Sequence, residues 1–193
     1  MSEKWKTMMK DFVKHGDVEE EVIEKYKNYM SDEIIEFWKE YGYGHFYNGF
    51  MKIVNPEMYQ ELFDTVYDNV TNYVPVFITG MGDFLAYNKK NMNSFFMYKT
   101  RYMEFTSFPD GLEGISEFFE EDIFAEEFLS SLPFEEAVKK YGIPKYDECF
   151  GYTPLLSLGG YEDISHLEKV DLMAHLQIIA TLQEPFDWDN VEE

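Results

Sequence analysis

The sequence is short of cysteine, of cations and of long apolar runs, and each shortage excludes something. The single Cys149 cannot form an internal disulfide, which rules out a disulfide-stapled scaffold and fits a reducing cytosol. No apolar stretch approaches the roughly 18 residues of a membrane-spanning helix. The opening residues, MSEKWKTMMK, lack the apolar core of a secretory leader. The expectation is a cytoplasmic protein that does not engage a membrane. Lysine and arginine together number 16 against 38 aspartates and glutamates, a net charge of −22 over 193 residues. Such a surface repels nucleic acid and anionic lipid and attracts basic proteins. About 2 to 8 charges suffice to keep a small domain soluble, so the excess points to a basic partner.

What is abundant is apolar and aromatic. The chain is 45% hydrophobic, with 18 Phe, 15 Tyr and 3 Trp, enough to bury a substantial core. Its length suits one domain, or two small halves sharing a core.

The segment Ser31 to Tyr59 carries the clearest punctuation. Ser31 is placed to cap a helix whose apolar stripe is Ile34, Ile35, Phe37, Trp38 and Tyr41. Gly42 stops that helix. Gly44 to Gly49 reads as a polar-aromatic turn and Phe50 to Val54 as a strand. Asn55-Pro56 opens a second helix, with proline at the first helical position. Before this segment, residues 1–15 read as a short helix broken at Gly16, and Glu19 to Met30 as another.

After it the period shortens. Tyr73 to Thr79 and Phe84 to Tyr87 read as strands around the turn Gly80 to Asp83, and Phe95 to Phe105 supplies one or two more. Pro75 argues for an edge position or a strand start. Ile115, Phe118, Phe119, Ile123, Phe124 and Phe128 then form the apolar stripe of a helix with an acidic outer face. Pro133 to Tyr141 is a short helix ended by Gly142. Tyr152 to Leu158 reads as a strand. Ser165-His166-Leu167-Glu168 matches a capping box opening a long, largely buried helix to Leu182. The fold class is α+β: N-terminal helices, a central antiparallel sheet of short strands, and C-terminal helices packed on it.

Two stretches resemble known families. Phe37, Trp38, Lys39, Tyr41, Gly42 and Gly44, then Gly49-Phe50, then Asn55-Pro56 and Tyr59, follow in the order seen in the GAD-like domain of bacterial proteins. Tyr152, Pro154, Leu156, Leu158, Gly159, Gly160, Leu167 to Val170, His175 and Leu176 resemble the C-terminal domain of type VI secretion immunity proteins, and Gly80 to Phe84 looks like that family's Gly-Asp turn. The division these resemblances imply is an N-terminal extension (1–18), a GAD-like part (19–108), an immunity-type part (109–183) and an acidic tail (184–193). They imply a protein that binds and neutralises a cognate secreted toxin, one with DNase activity.

No motif meets the requirements of an active site. Gly80-x-Gly82 lacks the third glycine and the following helix of a dinucleotide loop. His15, His45, His166 and His175 have no metal spacing; His45 reads as a turn residue and His175 as a core histidine with a hydrogen-bond partner. Cys149 reads as a small apolar residue. Ser157 is not in a nucleophile elbow. Asp187-x-Asp189-Asn190 lacks the rest of a calcium loop. The expectation is therefore a non-enzyme with no metal, no cofactor and no catalytic residues. The partner that the resemblance and the net charge together imply is a basic nuclease toxin, with Glu117, Glu120, Glu121, Asp122, Glu126 and Glu127 as the candidate partner-binding carboxylates. Two other readings stay open. One is a regulatory or scaffold module, since the GAD-like name reflects a distant relation to an insert domain of tRNA-linked enzymes. The other is a hydrolase using a pair of glutamates, whose sign would be a deep pocket holding two carboxylates with raised pKa.

Overall fold

In the computed structural model, which describes residues 3–66, 72–91, 94–102, 104–109, 111–120, 129 and 131–182, the chain opens with helix α1 (Glu3–Met8), a 3-10 turn (Met9–Asp11) and strand β1 (Val13–Gly16). Helices α2 (Glu20–Tyr26) and α3 (Asp32–Tyr41) follow, then the hairpin β2 (Tyr43–Phe46) and β3 (Met51–Ile53). Helix α4 (Pro56–Val66) leads into the meander β4 (Tyr73–Thr79), β5 (Phe84–Asn88), β6 (Ser94–Lys99) and β7 (Glu104–Pro109). Helices α5 (Gly111–Glu120) and α6 (Ser131–Tyr141), the hairpin β8 (Glu148–Tyr152) and β9 (Leu167–Asp171), and helix α7 (Leu172–Leu182) complete it.

Strands β1 to β7 form one antiparallel sheet in sequential order, and β8 pairs with β9 separately. The central strands are buried on both faces, so they read as near-continuous apolar runs. Alternate residues go to opposite cores. Leu85, Tyr87, Phe95 and Met97 join Trp5, Phe37, Trp38, Leu112, Ile115 and Phe134 on one side. Phe84, Ala86, Phe96 and Tyr98 join Tyr59, Phe63, Leu172 and Leu176 on the other. The first core is knit by aromatic edges: Trp5 lies 5.1 Å from Phe37 and 6.1 Å from Phe46, centroid to centroid. The Trp5 indole N–H donates to the Leu112 carbonyl at 3.0 Å, which ties α1 to α5.

The α3 signals hold. Ser31 Oγ accepts the Ile34 N–H at 3.5 Å, and Gly42 ends the helix with φ of +75°. Several expectations do not hold. Val13 to Gly16 is a strand paired with β2, so the first helix ends before it. Gly44 to Phe46, read as the start of a turn, lies in strand β2 (Tyr43–Phe46), and His45 is a strand residue. The turn proper is Tyr47 to Phe50, where Tyr47 and Asn48 both have φ of +53°. Asp11 holds it by accepting both their N–H groups. The reading of Pro75 does hold: it lies near the start of β4, before the residues that pair with β3, and next to a bulge between Pro75 and Phe77.

The C-terminal reading needs the larger correction. Tyr152 ends strand β8, and Leu156 to Leu158 is a 3-10 turn. Ser165 caps nothing; its N–H is taken by Asp163, and Leu167 to Asp171 zips onto β8. The helix cap is Asp171, whose carboxylate accepts the Ala174 N–H at 2.8 Å. That helix, α7, buries one face through Leu172, His175, Leu176 and Ile179, while Ile178 is exposed.

Candidate functional site

Helix α5 turns Leu112, Ile115, Ser116 and Phe119 inward and presents Glu113 and Glu117 to solvent. Of the six candidate carboxylates, Glu117 is on that outer face and Glu120 is the last residue of α5. Glu121, Asp122, Glu126 and Glu127 lie outside the described residues, as do Ile123, Phe124 and Phe128 of the apolar stripe and the tail. The acidic face extends to the first turn of α3, where Asp32 and Glu33 are exposed. Glu33 is raised above the ordinary carboxylate range, by partial burial first and by the charge of Glu113 second. Two helices far apart in sequence thus bring like charges together on one surface.

A second feature lies inside the molecule. Asp83 closes the turn between β4 and β5 and is fully buried. Arg101, after β6, sends Nη1 to its Oδ2 at 2.6 Å and is itself only 6% exposed. The Thr100 N–H donates to the other carboxylate oxygen at 3.1 Å, and the Asp83 N–H donates to Thr79 Oγ1 at 3.1 Å. Burial raises the Asp83 carboxyl, and the Arg101 guanidinium opposes that rise. Asp83 therefore shares its site with a cation and not with a second carboxylate, which is not the arrangement of a paired-glutamate hydrolase.

The sequence reasoning passed over Arg101, although a signal was there. It is the only arginine in the chain; the other 15 cations are lysines. Arginine's planar fork suits a buried ion pair better than an ammonium does. The Tyr102 ring packs on the guanidinium at 4.8 Å, and its hydroxyl donates to Glu162.

The β8 hairpin joins the sheet at Gly80. Its N–H donates to the Phe50 carbonyl at 2.5 Å, and its carbonyl accepts the Phe150 N–H at 2.7 Å. Beside it Lys52 is fully buried, donating to the Lys145 carbonyl at 2.8 Å. Burial lowers its amine to about 8. Cys149 is buried, and burial pushes its thiol up to about 12, so it is an inert core residue as expected. His175 is buried on α7 against Gly151, and burial lowers it to about 4. Among the described residues no group of three or more His, Cys, Asp or Glu could hold a metal, and no helix is long and apolar enough to cross a membrane.

The model of the GAD-like domain matches residues 3–98, and that of the T6SS immunity protein Tdi1, C-terminal, matches residues 112–183. The chain carries a GAD-like segment followed by a Tdi1-type C-terminal segment. The GAD-like match takes in α1 through most of β6, and the Tdi1-type match takes in α5, α6, the β8–β9 hairpin and α7. Arg101 lies between the two matched segments. Among solved structures, the crystal structure of Atu4351 from Agrobacterium tumefaciens superposes with a TM-score of 0.74 at 18% identity, covering 93% of this chain and 88% of that one. That likeness shows a shared fold. No curated protein matches the chain.

Proposed function

We propose that this protein is an immunity protein that binds a cognate toxin delivered by a type VI secretion system and neutralises it. The observation that carries the reading is the Tdi1-type C-terminal match over residues 112–183, a domain described as that of a T6SS immunity protein. The toxin is a basic nuclease, and its active or DNA-binding surface is covered by the acidic face. Three features support this finer reading. The net charge is −22. Glu113 of α5, exposed like Glu117, lies within electrostatic reach of Glu33 of α3. Complementary charge speeds encounter and excludes wrong partners, as is needed when a lethal enzyme must be blocked quickly. The protein acts by occlusion, as a binder and not as an enzyme, in the cytoplasm where a nuclease meets DNA.

A pull-down of the tagged protein against the products of adjacent genes, at low and at high salt, tests this. Capture of one basic protein, weakened by salt, is the expected result. Capture of none at either salt would remove the toxin partner and leave a module of another role.

A further inference from the structure

The loop from Thr153 to His166 joins β8 to β9 and is braced from within. At its base the Thr153 N–H donates to the His166 carbonyl at 2.8 Å. Further out, the N–H groups of Leu158 and Gly160 both donate to the Leu155 carbonyl, and Asp163 accepts the Ser165 N–H. Gly160 runs so close to the chain that a Cβ there would fall 2.0 Å from the Pro154 carbonyl oxygen. Leu156 and Ile164 pack against the first core, and the Tyr141 hydroxyl donates to the Ile164 carbonyl at 3.3 Å, which ties the loop to the end of α6. Compact surface loops with closed ends are frequent sites of function.

Two large side chains of this loop turn away from the core. Tyr161 is 71% exposed, more than any other large apolar side chain among the described residues, and Leu158 is 62% exposed. One exposed leucine needs no explanation. A tyrosine and a leucine held out on either side of Gly159-Gly160 by a braced loop are different, because a partner that buries them has little ordering left to impose.

We propose that this loop is the anchor that holds the toxin, with Tyr161 and Leu158 entering an apolar hollow on that basic protein. The proposal rests on the immunity reading and deepens it by separating holding from steering. The loop lies inside the 112–183 segment whose match carries that reading. The net charge of −22 selects a basic partner, and Thr153 to His166 contains no lysine or arginine to oppose one. Its two carboxylates, Glu162 and Asp163, are exposed, but Lys99 and Lys140 lie within electrostatic reach of them from neighbouring elements. The loop is therefore close to charge balance and adds little to long-range attraction, which falls to the carboxylates of α5. What it offers is apolar area around a tyrosine, a residue type enriched where truncation costs most at interfaces.

Binding kinetics of the full chain with the purified basic product of the neighbouring toxin gene test this at low and at high salt, with Tm confirming that each variant is folded. Tyr161→Ala is expected to raise the dissociation rate about 30-fold and Leu158→Ala about fivefold, with association rates within about twofold of wild type at both salts. Tyr161→Phe, which keeps the ring, is expected to dissociate within about threefold of wild type. A wild-type complex whose dissociation is unchanged in the Leu158→Ala, Tyr161→Ala double variant would overturn the anchor and leave the immunity reading standing. Absence of a complex with the wild-type chain would overturn both. Sedimentation of the chain alone covers the other occupant: a wild-type dimer that becomes monomeric in the double variant would give the loop to a second copy and overturn the proposal.

Discussion

Arg101 Nη1 lies 2.6 Å from Asp83 Oδ2, with both side chains withdrawn from solvent, so the chain's one arginine is spent inside the protein and not on its surface. A buried pair contributes little over an apolar replacement, but half of one is strongly destabilising, because the remaining charge has no partner. Asp83→Ala is expected to cost about 3–5 kcal/mol and Arg101→Met a similar amount. Asp83→Ala with Arg101→Met in one chain is expected to cost clearly less than the sum. Urea unfolding of the two singles and the double gives the coupling directly; additive losses would mean the two charges do not act as a pair.

Gly80 is fixed by a close approach. A Cβ built there falls 2.2 Å from Phe134 Cε2, and Phe134 is itself buried. Gly80→Ala is expected to cost about 1–3 kcal/mol through overpacking. Adding Phe134→Leu, which vacates that space, is expected to make the glycine substitution nearly free within the new background. Equilibrium unfolding of the four chains checks this.

His175 gives the stability a slope in mild acid. Burial lowers its folded pKa from 6.5 to about 4, so between those values the unfolded chain holds more protons than the folded one. Stability from this group is fully present above pH 6.5, falls as pH drops through that window, and levels off below about 4. Its span is on the order of 3 kcal/mol. Carboxylates titrate in the same range, so the informative quantity is the difference from His175→Gln. That difference in urea midpoint is expected to shrink steadily as pH falls from 6.5 towards 4, and a difference independent of pH would show that the imidazole is not held neutral.

Glu113 and Glu117 steer the partner in this account. Reversing both to lysine is expected to slow association with the toxin about tenfold at low salt and to change dissociation little, since rim charges act on encounter. Stopped-flow mixing at two salt concentrations separates the rates. An unchanged association rate would place the docking surface elsewhere on the molecule.

Elements defined by their own residues were legible before folding. Ser31, the stripe from Ile34 to Tyr41, and Gly42 specify α3 locally, and the aromatic and β-branched runs of β4, β5 and β6 announce themselves. What was hidden depends on partners distant in sequence. Val13 to Gly16 becomes a strand only because Tyr43 to His45 lies beside it. The Ser165–Glu168 box fails because Asp163 takes the Ser165 N–H and Leu167 to Asp171 finds β8, leaving Asp171 to cap the helix. Burial of Arg101 is likewise a tertiary fact; its local neighbours, Thr100 and Tyr102, look like a turn between strands. The acidic face was legible as composition, but its joining of α3 to α5 required the fold.

The central claim is that this protein neutralises a toxin by binding it. The most direct measurement is growth of a sensitive bacterial strain expressing the neighbouring toxin gene, with and without this protein. Restored growth with the wild-type chain, lost when its complex with the toxin is broken by substitution on the acidic face, is the result the account predicts. Unrelieved killing despite abundant folded protein would contradict it.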